Sequence, residues 1–106
     1  MIKLNLTKQI LAATVLLIST SSAMAGGADL YTSKGCGACH GADAKTPIMP
    51  LYPKIAGQAK EYIAQQMTDI KTGARNNGQT AAMKGIMAGV SAEESLAIAE
   101  YLSSLK

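Results

Sequence analysis

The residues best suited to chemistry lie close together, at Cys36, Cys39 and His40, and form the pattern C-x-x-C-H. On one turn of helix, positions i, i+3 and i+4 point to the same side, so the two thiols and the imidazole would face one common partner. Gly37 and Ala38 between them are small and let the backbone lie close to that partner. The cluster could therefore form a dithiol or disulfide, bind a metal, or attach a prosthetic group.

The rest of the chain favours the last of these interpretations. A thioredoxin-type dithiol needs a βαβ context, and no strand-like alternation of apolar and polar residues occurs. Zinc needs four ligands, whereas the chain contains two cysteines and one histidine. A simple disulfide would not explain why the only histidine, His40, directly follows the second cysteine. C-x-x-C-H is the attachment signature of c-type haem, so we interpret Cys36 and Cys39 as haem thioethers and His40 as an iron ligand.

A second iron ligand has to come from elsewhere, and methionine is the obvious candidate. After the first 25 residues the chain contains four methionines, at Met49, Met67, Met83 and Met87. Met67 lies in an apolar helical stripe and is better explained as core. Met49 lies in a proline-rich loop expected on the histidine side. Met83 and Met87 lie in a glycine-rich segment that could cross the opposite face, and the residues alone leave both open.

The elements that would position these residues are helical. Gly26–Gly35 predicts a first short helix, and Gly41–Gln58 predicts a loop because three prolines interrupt it. A second helix is predicted over Ala59–Thr72, where apolar residues recur at a spacing of three and four, with Gly73 as its C-cap. Gly73–Gly89 predicts a second loop that could contain a short helical piece.

The last predicted helix opens at Ser91, which forms a capping box with Glu94. Its expected buried side chains are Leu96, Ile98, Ala99, Leu102 and Leu105. The fold class is therefore all-α, with three principal helices joined by irregular loops. The chain contains neither Phe nor Trp, so we expect a cofactor rather than large side chains to fill the centre.

The first 25 residues have the layout of a signal peptide. Lys3 and Lys8 precede an apolar run at Ile10–Ile18, and Ala23-Met24-Ala25 places small residues where a signal peptidase reads. We expect cleavage after Ala25, which leaves one domain over residues 26–106. The alternative is an uncleaved anchor, but about nine residues of helix reach only about half-way across a bilayer. We expect export to the periplasm without stable membrane insertion.

With these motifs in their order, the sequence resembles the small class I bacterial cytochromes c. The resemblance includes Leu30-Tyr31 before the first cysteine, Cys39-His40-Gly41, the segment Tyr52–Gln58, the run Gly73-Ala74-Arg75-Asn76, and Val90-Ser91 through Tyr101-Leu102. It implies the class I cytochrome c fold, in which three principal helices surround one covalent haem c.

The same resemblance implies roles for two further residues. In the family a proline carbonyl accepts a hydrogen bond from the proximal histidine, and Pro53 is the matching position, with Pro50 as the substitute. The family's ligand methionine lies seven residues before the apolar residue that precedes the last helix cap. Counting back from Val90 gives Met83 as the second axial ligand, with Met87 as the fallback.

Two axial ligands leave the iron no open position, so we expect an electron carrier and not an enzyme. The hypothesis is a monomeric periplasmic shuttle between a donor dehydrogenase or membrane complex and an acceptor oxidase or reductase. The alternative is a haem c subunit of a larger oxidoreductase. The residues after Ala25 comprise eight basic and seven acidic side chains, and the lysines are scattered, which argues against nucleic acid as a partner.

Overall fold

The computed structural model describes residues 26–106, which form five helices and, within that range, no strand. The helices are α1 (Gly27–Ser33), α2 (Gly37–His40), α3 (Lys60–Thr72), α4 (Thr80–Met87) and α5 (Ala92–Ser104). The three predicted principal helices correspond to α1, α3 and α5. The prediction of an all-α fold is confirmed. The predicted signal peptide and its cleavage site after Ala25 lie outside the described residues.

Helix α5 is the central element, because α1 and α3 both pack against it, and α4 packs against α3. Its N-terminus is the predicted capping box: the Ser91 hydroxyl accepts from the Glu94 amide at 3.1 Å, and the Glu94 carboxylate accepts from the Ser91 amide at 3.0 Å. This reciprocal pair satisfies two amide groups that the helix itself cannot bind. Helix α3 ends at Gly73, as predicted, in the left-handed conformation that glycine adopts most readily.

The core consists of small aliphatic and sulfur-containing side chains around one aromatic ring. Tyr31 packs tilted against Tyr101 with ring centroids 5.9 Å apart. The remaining buried core residues are Leu30, Ala44, Ile63, Met67, Ile70, Met87, Val90, Ile98, Ala99 and Leu102. Met67 thus has the core position that its helical stripe predicts. Leu96 was expected to be buried, but half of its surface is exposed, because the buried face of α5 runs through Ser95, Ile98, Ala99 and Leu102 instead.

Helix α4 is the main element that the sequence predicted incompletely. The glycine-rich segment predicted a loop that could contain a short helical piece, and in the structure that piece is a helix over Thr80–Met87. Buried Thr80 at its start and buried Met87 at its end hold it on the core. Among residues 26–106, no helix combines the length and the apolar character needed to cross a membrane.

Candidate functional site

The C-x-x-C-H segment is a short helical turn held at a defined angle to α1. Helix α1 ends in a Schellman motif: the Cys36 amide donates to the Tyr31 carbonyl at 3.1 Å, and the Gly35 amide donates to the Thr32 carbonyl at 3.2 Å. Gly35 has a φ of +80°, which a residue with a side chain rarely adopts. The chain therefore leaves α1 and re-enters a helix with Cys36 at the start of the new turn.

Backbone hydrogen bonds then place the three reactive residues on one turn. The amides of Cys39 and His40 both donate to the Cys36 carbonyl, at 3.2 and 3.0 Å. This is the i, i+3, i+4 arrangement that the motif requires. The turn ends at Gly41, whose φ of +90° and close contact with the Thr46 backbone leave no room for a Cβ atom. The two thiols and the imidazole are thus brought together by local structure.

The His40 ring is oriented by the proline loop. Its Nδ1 atom lies 2.9 Å from the carbonyl oxygen of Pro53, and His40 is buried. A carbonyl can only accept, so Nδ1 carries the proton and donates, which leaves the Nε2 lone pair for a metal. Metal-bound histidines in proteins usually have such an acceptor at the other nitrogen.

The two thiols do not have the environment of a redox dithiol. Both are half-buried, and they are not joined in a disulfide. Burial raises the pKa of the Cys36 thiol, whereas a nucleophilic or exchange-active cysteine needs a lowered one. Within residues 26–106, no group of three or more His, Cys, Asp and Glu side chains could hold a metal ion on its own. The zinc interpretation therefore has no support in this part of the chain.

The proline loop carries an apolar surface and is tied to the C-x-x-C-H turn, because the Ile48 amide donates to the Cys39 carbonyl at 3.1 Å. Ile48, Met49 and Leu51 are 64%, 43% and 69% exposed, and they lie in the loop that ends at Pro53. Small soluble domains seldom expose consecutive apolar side chains unless another group covers them. A large, flat, apolar group bound by His40 and the thiols fits this surface, and a hydrated metal ion does not. The donor set and the surroundings thus agree on haem.

The methionines differ in how tightly the protein packs them. Met67 and Met87 are 5% and 3% exposed and belong to the core, whereas Met83 is half-buried and lies at the core's edge. Met83 and Met87 are four residues apart on α4 and therefore share one face of it. Met49 is exposed in the proline loop. Met83 is the methionine of α4 that the core does not enclose.

The family model described as "Cytochrome c" matches residues 24–106. The chain belongs to the cytochrome c family. The protein accordingly has a covalently bound haem c with its iron, as the C-x-x-C-H motif predicted. The predicted resemblance to small class I bacterial cytochromes c is confirmed.

Individual relatives agree with this assignment. The chain is 44% identical over 71 residues to cytochrome c4 of Pseudomonas aeruginosa. The aligned residues cover 67% of this chain and 33% of the relative. It is 35% identical to the thiosulfate dehydrogenase electron acceptor of Stutzerimonas stutzeri, over 85% of this chain and 44% of the relative. The chain spans about a third of the length of the curated cytochrome c4 relatives that it matches.

A solved structure shows the same fold. The crystal structure of reduced recombinant cytochrome c4 from Pseudomonas stutzeri superposes with a TM-score of 0.65 at 31% sequence identity, covering 76% of this chain and 46% of that one. The prediction of a class I cytochrome c fold is therefore confirmed.

Proposed function

We propose that this cytochrome is a periplasmic one-electron carrier in which Cys36 and Cys39 hold the haem and His40 and Met83 bind its iron. The observation that carries the proposal is the single helical turn with both thiols and the imidazole, whose Nδ1 lies 2.9 Å from the Pro53 carbonyl. When bound, the haem supplies an iron that alternates between the Fe(III) and Fe(II) states. The polypeptide supplies attachment, ligand orientation and exclusion of water.

The choice of Met83 is supported by burial and by helix geometry. Met87 is 3% exposed and contributes to the core, so moving its sulfur to the iron would leave a cavity there. Met83 lies on the same face of α4 and is only half-buried. Its thioether can therefore bind the iron without disrupting the core. Met87 is the fallback ligand. A thioether ligand favours Fe(II) and raises the reduction potential.

If His40 and Met83 both bind the iron, a substrate could reach it only by displacing one of them. The proposal is therefore an electron carrier without catalytic activity of its own. Its partners would be a donor dehydrogenase or membrane complex and an acceptor oxidase or reductase, which it would meet as a monomer after cleavage of residues 1–25. Transient partners of this kind need only a small docking surface.

A haem c subunit of a larger oxidoreductase is the second candidate. It is favoured by the likeness to a protein whose name is thiosulfate dehydrogenase electron acceptor, at 35% identity. The two functions share the same electron chemistry and differ in whether the partner is permanent. Size-exclusion chromatography of a native periplasmic extract distinguishes them: elution at the size of a small monomer supports the shuttle, and co-elution with a dehydrogenase supports the subunit.

Absorption spectra of two variants, one at Met83 and one at Met87, test the proposed haem site. In the wild-type protein we expect colour that acidified acetone does not extract, and a methionine–iron band at the red end of the oxidised spectrum. Met83→Ala should abolish that band and let carbon monoxide bind the reduced iron. Met87→Leu is the matched control and should keep the band, because leucine preserves the packing at the buried end of α4 but has no sulfur to bind iron. The proposal fails if the colour is extracted, and the ligand choice fails if Met87→Leu is the variant that loses the band.

A further inference from the structure

The short connection between α4 and α5 is held from two sides by lysines of other helices. The Lys34 ammonium, at the end of α1, donates to the carbonyl of Gly89 at 2.8 Å. The Lys71 ammonium, in the last turn of α3, donates to the next carbonyl, that of Val90. Hydrogen bonds from a charged donor are among the stronger ones in proteins.

Lys34 is more enclosed than a surface lysine usually is, whereas Lys71 is an exposed side chain whose ammonium reaches a buried carbonyl. The Lys34 ammonium also lies 3.2 Å from the Glu94 carboxylate, and the two side chains are only 29% and 26% exposed. The same carboxylate accepts from the Ser91 amide, so one side chain joins Lys34 to the first turn of α5. Val90 is 1% exposed, and a buried carbonyl needs a partner in place of water. The Lys71 ammonium is such a partner.

Together with the packing of Met87, this connection fixes where the end of α4 lies. Backbone hydrogen bonds continue the α4 turn into this connection. The amides of Ala88, Gly89 and Val90 donate to the backbone carbonyls of Lys84, Ile86 and Met87, respectively, at 3.0 to 3.1 Å. Helix α4 is therefore continuous with the segment that the two lysines hold. Met83 lies one helical turn before the end of α4, so a shift of that end would move its sulfur.

We propose that Lys34 and Lys71 are positioning residues for the sixth iron ligand, and that by holding the Gly89 and Val90 carbonyls they keep Met83 on the iron. The proposal rests on the proposed function, because it requires Met83 to be a ligand. It assigns these lysines a role in holding the sixth ligand in place, and not in partner docking. Neither lysine needs to contact the haem.

Imidazole titration of the oxidised holoprotein tests the proposal, because imidazole binds the iron only where the methionine has left it. We expect Lys34→Gln and Lys71→Gln each to raise the affinity for imidazole by roughly fivefold, since each removes one charge-assisted hydrogen bond that holds α4. Lys34→Arg keeps the positive charge and the hydrogen-bond donors, so its imidazole affinity should stay close to that of the wild type. The two glutamine variants change different parts of the fold. The test can therefore be carried out even if only one of them forms a stable holoprotein.

Lys60→Gln is the matched control. It removes one positive charge and the ion pair between Lys60 on α3 and Glu100 on α5, which are 3.9 Å apart. It leaves the α4–α5 connection unchanged. Its imidazole affinity should equal that of the wild type. Denaturant unfolding is measured in parallel, because a merely structural role would lower the unfolding free energy and leave imidazole affinity unchanged.

Met83→Ala separates failure of this proposal from failure of the proposed function. If Met83→Ala binds imidazole much more tightly and both glutamine variants behave as the wild type does, the positioning role is wrong and the ligand assignment stands. If Met83→Ala leaves the affinity unchanged, Met83 is not the ligand, and the positioning role is overturned with it.

Discussion

The Tyr31 hydroxyl donates a hydrogen bond to the carbonyl oxygen of Gly41 over 2.5 Å, which ties α1 to the end of the C-x-x-C-H turn. Tyr31 is 2% exposed, so the bond is shielded from water. Gly41 directly follows His40, and the backbone beside the His40 imidazole is therefore fixed from α1 as well as from the proline loop. Burial, the largest cause, and the nearby Cys36 thiol raise the pKa of Tyr31 to about 12.

Tyr31→Phe should lower the unfolding free energy by about 1–3 kcal/mol, because it leaves the Gly41 carbonyl without its buried donor. The wild type should also lose stability above pH 10, where the unfolded tyrosine ionises while the folded one keeps its proton to about pH 12. The variant should lack this contribution, which is at most about 1.4 kcal/mol per pH unit. Denaturant unfolding between pH 8 and 12 measures both effects.

The exposed Tyr62 provides the control for this experiment. Tyr62→Phe changes the same atoms at the surface and should leave the neutral-pH unfolding free energy within about 0.5 kcal/mol of the wild-type value. Equal stability of the two variants at neutral pH would contradict a structural role for the Tyr31 hydroxyl.

Gly27 allows α1 to pack directly on α5. A Cβ atom at this position would overlap the Ala97 carbonyl and would lie 2.6 Å from the Tyr101 Cβ, both on α5. We expect Gly27→Ala to lower the unfolding free energy by about 1–3 kcal/mol, the usual cost of overpacking. Gly26→Ala is the control, since a Cβ there meets nothing within 4 Å. Chemical denaturation of both holoproteins measures the difference, and similar midpoints would show that the helices separate at little cost.

Pro53 acts on His40 through a backbone carbonyl, which every residue possesses. Pro53→Ala should therefore keep the His40 ring oriented and the oxidised and reduced spectra unchanged. The unfolding free energy should fall by about 0.4–1 kcal/mol, because alanine gives the unfolded chain more freedom than proline does. Pro50→Ala in the same loop is the comparison. A large shift of the reduction potential in Pro53→Ala alone would mean that the proline ring, and not the carbonyl, holds the histidine.

Several features could be predicted from the sequence because they depend on residues within one or two helical turns of each other. The C-x-x-C-H turn, the capping box of Ser91 and Glu94 and the end of α3 at Gly73 are all of this kind. Each consists of a backbone geometry and a side chain a few residues apart, so local spacing specifies it.

Other features depend on which elements pack together, and only the tertiary structure decided them. The resemblance favours Met83 over Met87 by spacing alone, and the different burial of the two side chains arises from how α4 lies on α3. Lys34 and Lys71 read as scattered surface charges, yet each reaches a carbonyl at least 19 residues away in the chain. No spacing rule specifies such contacts, because they depend on the relative positions of α1, α3 and the α4–α5 connection, which packing of the whole core fixes.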